Sequence, residues 1–96
     1  SQPEDKQQRT AIPEGDVPSE DVERALELFR EELGLTLYPK LRAELQERLS
    51  HLSEFQRIAM IYDYVAERAF ELTNPPGAFL SFVRRGVSAA DLATTR

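Results

Sequence analysis

His51 is the single histidine of this 96-residue chain, and Glu47 precedes it by one helical turn, so the two side chains could share a proton as a general acid–base pair. No nucleophile and no orienting third group accompanies them at a recognisable spacing. Asp63, Glu67 and Glu71 recur every fourth residue. On a continuous helix they would line one face and offer oxygen ligands to a hard cation, although a solvated acidic face is the commoner use of that pattern. The Glu-x-x-His pairs of di-iron bundles, the Ca²⁺-loop pattern and the glycine-rich phosphate loop are missing from the sequence. Zero cysteines removes disulfides, thiolate catalysis and Cys-based zinc sites. The expectation is a non-enzymatic chain with no catalytic residues, no cofactor and no metal.

Binding chemistry has more to work with. Arg84 and Arg85 are the only adjacent basic pair, placed where a helix ends and cations complement the macrodipole. Tyr62 and Tyr64 cannot both point into one core stripe, and Phe79 and Phe82 diverge on their helix, so aromatic area is expected near the surface. If Tyr64 and Phe82 cluster with the stems of Arg68, Arg84 or Arg85, they form the aromatic and arginine composition of a protein interface. The expected partner is therefore another protein or a multi-subunit assembly. The alternative is a module for single-stranded RNA or DNA, with Arg84 and Arg85 on phosphate, Arg57 and Arg68 assisting and Tyr64 stacking on a base. Charge argues against that alternative as the main activity. The net charge is −5, and residues 1 to 33 alone carry ten acidic against four basic side chains, whereas phosphate neutralisation requires clustered Lys and Arg.

The elements that must hold these residues follow from helical spacing. With 41% hydrophobic and 30% charged residues the chain suits one small globular domain, and no apolar run reaches the roughly 18 residues of a membrane span. A soluble, intracellular protein is expected. Residues 1 to 18, with three prolines and almost no apolar side chains, read as an extended or disordered acidic arm. Ser19 is placed to cap a first helix carrying Val22, Ala25, Leu26, Phe29 and Leu33, with Gly34 as its stop. A second helix starts around Pro39 with the stripe Leu41, Leu45, Leu49 and Leu52.

Ser53-Glu54-Phe55-Gln56 fits a capping box for a third, central helix bearing Phe55, Ile58, Ala59, Ile61, Tyr62, Val65, Ala66, Ala69 and Leu72. Pro75 should stop that helix near Thr73 and open a fourth, with Asn74 as N-cap and Gly77 leaving room for another backbone. Phe79, Leu80, Phe82 and Val83 supply the fourth helix's apolar face. Gly86 ends it near Arg85, and Ser88-Ala89-Ala90-Asp91 caps a short turn. The fold expected is all-α: a compact four-helix domain over residues 19 to 93, a short C-terminal helical turn, and a frayed tail over 94 to 96.

The segment Leu49 to Arg85, through Asn74, Ala78, Phe79, Leu80, Val83 and Arg84, resembles the acidic N-terminal helical domain of the heterogeneous nuclear ribonucleoproteins Q and R. That resemblance implies an interaction module with protein partners and some RNA contact. A second resemblance, over about Leu28 to Ala93, is to the C-terminal domain of DnaD-like bacterial replication proteins. It is carried by the Phe29-to-Gly34 opening, Phe79, Val83 and Gly86-Val87-Ser88, and it implies DNA association. The tryptophan and the basic tail of that family are missing here.

Overall fold

The computed structural model describes residues 15–94. Most of the expected arm and the last two residues of the expected tail lie outside that range. Among the described residues the chain is all-α, with no strand. Helix α1 spans Ser19–Leu33, α2 Pro39–Leu49, α3 Leu52–Glu67, α4 Pro75–Arg84 and α5 Ala89–Thr94, with a 3₁₀ turn at Ala69–Glu71. Among the described residues no helix is long and apolar enough to cross a membrane.

Helix α1 begins one step earlier than a Ser19 cap would allow. Pro18 occupies the cap position without a side-chain bond, and its carbonyl accepts from the Asp21 and Val22 N–H groups at 3.0 and 3.2 Å. Glu20 and Asp21 stand in the first turn, where the helix dipole favours negative charge. At the other end Gly34 adopts φ +75°, a conformation that costs an L side chain but not glycine. The reversal lets Leu35 donate its N–H to the Phe29 carbonyl at 3.3 Å and return its side chain to the core.

Helix α2 starts at Pro39 and buries Leu41, Leu45 and Leu49. Leu52, the fourth residue of the expected stripe, belongs instead to α3 and is 39% exposed. The capping box expected at Ser53 and Gln56 does not form. His51, in extended conformation, precedes α3 and makes no side-chain cap bond. The cause is non-local: Gly15–Val17 runs antiparallel to Ser50–Leu52, centred on an Asp16–His51 bridge. Val17 donates to the Ser50 carbonyl at 3.0 Å, and Leu52 donates to the Gly15 carbonyl. With the Leu52 N–H paired to Gly15 and His51 held extended, the helix begins at Leu52, which puts Ser53 inside it rather than at its cap. The end of the expected arm is thus tied to the domain by these two backbone bonds, with Val17 partly buried against the core.

Helix α3 is the central element and contacts each of the other four helices. Ile58, Ile61 and Val65 on this helix are fully buried, together with Leu26, Leu45, Phe79 and Val83 from its neighbours. The Phe29 ring sits 5.5 Å from that of Tyr62 and 4.8 Å from that of Phe79, tying α1 to α3 and α4 through tilted aromatic contacts. The helix stops at Glu67, short of Thr73. Arg68 leaves helical geometry, with φ −112° and ψ 14°, and folds its guanidinium back onto the Tyr64 carbonyl at 3.0 Å, satisfying one of the last orphan acceptors. The 3₁₀ turn then returns Leu72 to the core.

The Asn74-Pro75 corner forms as its local chemistry requires. The Asn74 side chain accepts the Gly77 N–H at 3.2 Å, and Pro75 is the first helical residue. Gly77 does not make room for another backbone. A Cβ there would lie 2.8 Å from Asn74 Cγ, so the glycine accommodates the capping side chain itself. The Ser88 box is also present, with Asp91 Oδ2 accepting the Ser88 N–H at 2.9 Å and Ser88 Oγ accepting the Asp91 N–H at 3.3 Å.

Candidate protein-docking surface

Tyr64 is in the last turn of α3, Arg68 follows it four residues on at the helix's C-cap, and Phe82 on α4 meets the Tyr64 ring. The Tyr64 and Phe82 rings meet edge to face, 6.0 Å between centroids and 83° between planes. Arg68 Cζ lies 3.9 Å from the centre of the Tyr64 ring, a close cation–π contact. The same guanidinium reaches the Tyr64 carbonyl at 3.0 Å and Glu67 Oε1 at 3.4 Å. Three of the five expected partner-binding residues therefore form one cluster around the tyrosine ring. Beside it a shallow groove of about 320 Å³ opens between α3 and α5, lined by Met60, Tyr64, Arg68, Ala89 and Leu92. Met60 is 47% exposed.

Arg84 and Arg85 are committed elsewhere. Arg84 forms a bidentate pair with Glu44 on α2, Nε at 3.0 Å and Nη2 at 2.6 Å. The Arg84 hydrogen bonds hold the Glu44 carboxyl below its ordinary range, and the reciprocal bond raises Arg84. Among the described residues the Arg85 side chain reaches only Ser81 Oγ on the preceding helix, at 3.4 Å. Arg57, expected to assist phosphate binding, faces inward instead. Its side chain is 15% exposed; Nη1 and Nη2 donate to the Val87 and Val83 carbonyls, both at 3.0 Å, while Nε and Nη2 hold Glu54 at 3.0 and 2.7 Å. Those bonds lower the Glu54 carboxyl. Arg48 lies between the two pairs, 3.6 Å from Glu44 and 3.7 Å from Glu54. The result is a charge-alternating chain, Arg84–Glu44–Arg48–Glu54–Arg57, that straps α2, α3 and the end of α4 together.

The candidate proton-transfer pair does meet, with His51 Nε2 3.1 Å from Glu47 Oε2. Both side chains are open to solvent, at the corner where His51 also pairs its backbone with Asp16. The acidic row does not hold together, because α3 ends at Glu67 and places Glu71 on the 3₁₀ turn. Among the described residues no three His, Cys, Asp or Glu side chains converge on a point where an ion could sit.

Two surface features were not foreseen. An apolar groove of about 420 Å³ lies between α1 and α3, over Leu28, Phe29, Phe55 and Tyr62. Its sequence signal is the pair of small residues Ala25 and Ala59 on the facing helices, which leave space where larger stripe residues would fill it. The second is Phe70, 86% exposed on the 3₁₀ turn. Helical periodicity carried past Glu67 obscures its outward placement. Comparison with protein-family models, with characterised proteins and with solved structures finds no match to this chain.

Proposed function

We propose that this chain is a non-enzymatic protein-interaction module, a subunit or adaptor of a larger assembly, which contacts its partner through the Tyr64–Arg68–Phe82 face. The observation that carries the reading is the stacked Arg68–Tyr64–Phe82 cluster beside an apolar groove. Rigid aromatics and a positioned arginine bury large area at small entropic cost, which is why such residues dominate binding energy at interfaces. The resemblance of the Asn74 corner to the helical domain of ribonucleoproteins Q and R supports the same reading. A nucleic-acid role draws less support, since Arg57 and Arg84 are spent on internal partners and the chain is net acidic.

The test pairs a nucleic-acid titration of the full chain with a co-purification. Labelled single-stranded RNA and DNA, followed by fluorescence anisotropy at low and near-physiological salt, are expected to show no saturable binding at the higher salt. Proteins co-purifying with the tagged chain from its source cells are expected to be lost on Arg68→Glu and retained on Arg85→Glu. Saturable, salt-resistant nucleic-acid binding lost on Arg85→Glu would reverse the order of the two readings.

A further inference from the structure

We infer that Phe70 is a docking knob that inserts into an apolar pocket, rimmed by Lys or Arg, on a protein other than this one. The inference rests on the protein-docking reading above and adds the chemistry of the partner. Phe70 stands apart from every other large apolar side chain described: at 86% exposure it exceeds Tyr38 at 54% and Met60 at 47%. Its display is rigid. The turn that carries it is closed by Glu71 N–H to the Arg68 carbonyl at 2.9 Å and Leu72 N–H to the Ala69 carbonyl at 3.1 Å. Leu72 anchors the turn against the core, so the ring is presented without a loop that must first be ordered.

The charge around the knob selects its partner. Glu67 and Glu71 flank the turn and are both exposed. Glu67 is shared with Arg68 at 3.4 Å, while Glu71 makes no ion pair among the described residues. An anionic bilayer would repel this pair of carboxylates. A second copy of the chain also fits poorly. Its own α1–α3 groove is rimmed by Asp21 and Asp63, and Arg24 on that rim is already paired with Asp21 at 3.1 Å. An apolar pocket with a basic rim satisfies both the ring and the free carboxylate.

The experiment places a p-benzoylphenylalanine photoprobe at position 70 of the full chain, and separately at the exposed Met60 beside the Tyr64 groove, and irradiates each in extract of the source cells. The protein joined at position 70 is then purified and titrated against the chain. Phe70→Ser is expected to weaken that binding about tenfold to hundredfold, the value of burying one large aromatic, and Glu71→Lys to weaken it further at low salt than at high. Both substitutions are at exposed positions, and circular dichroism is expected to be unchanged. Self-adducts, sedimentation with phosphatidylglycerol vesicles, no adduct at position 70, or binding unmoved by Phe70→Ser would each overturn the knob. An adduct at Met60 with none at position 70 removes the knob and leaves the docking face; silence at both positions removes both.

Discussion

Replacing Arg57 with alanine should be the most damaging change to any charged residue of the described domain. The side chain is 15% exposed and donates to four acceptors: two bonds to Glu54, one to the Val83 carbonyl and one to the Val87 carbonyl. A hydrogen bond to a charged group contributes about 1.5–3 kcal/mol, and an acceptor left buried and unpaired costs about 1–3 kcal/mol. Water can reach part of this site, since Glu54 is itself a third exposed. The expected loss is therefore about 3 kcal/mol, well below the sum of the four bonds. Arg84→Ala supplies the control, because its pair with Glu44 is half-exposed and such pairs contribute about 0.2–1 kcal/mol. In urea, with a slope of about 1 kcal/mol per molar for a domain of this size, Arg57→Ala should lower the midpoint by about 3 M and Arg84→Ala by less than about 1 M. Equal midpoints for the two variants would refute the view that Arg57 ties α3 to the end of α4.

The remaining predictions concern the corner, the core and pH. Asn74→Ala should cost about 1 kcal/mol through loss of its cap, and Gly77→Ala a similar amount by displacing the same side chain; their urea midpoints should not add in the double variant. Phe79→Ala, at a fully buried ring between α1 and α4, should cost about 3–5 kcal/mol and leave little folded protein by circular dichroism. Glu44 and Glu54 are held below the ordinary carboxyl value of 4.5, Glu44 by Arg84 and Glu54 by Arg57. The unfolded chain therefore binds more protons in that window, so their contribution is present above about pH 4.5 and is lost as pH falls through the lower folded values. Urea midpoints measured from pH 6 to pH 3 should fall less steeply for the Glu44→Gln, Glu54→Gln double variant.

How much of this was readable from the chain depended on the range of the forces involved. The Asn74-Pro75 start, the Gly34 reversal and the Ser88–Asp91 box are set by neighbours within four residues, and each forms. The stripe on α3 likewise marked a core helix, because one face is buried while Gln56, Met60, Asp63 and Glu67 stay exposed, which leaves a helical period in the residue types. Ser53 had the right neighbours for a cap, yet pairing of Gly15–Val17 with Ser50–Leu52 from across the fold fixes His51 as the residue before the helix and leaves Ser53 within it. The expected interface was half legible. Tyr64, Arg68 and Phe82 meet because i, i+4 spacing and a single helix–helix contact suffice. Arg84 is drawn away by Glu44 from a different helix, a pairing that no local pattern announces.

The backbone pairing of Gly15–Val17 with Ser50–Leu52 also orders the assembly of the domain. The α1–α2, α2–α3 and α3–α4 contacts join consecutive elements and can form early, at little loop-closure cost. The Asp16–His51 bridge has no binding site until α2 has turned into α3, so Gly15–Val17 should be the last of the described residues to be placed. In native-state hydrogen exchange the Val17 and Leu52 amides should accordingly open as their own small unit, while those of the buried Ile58 and Val65 should exchange only when the whole domain unfolds.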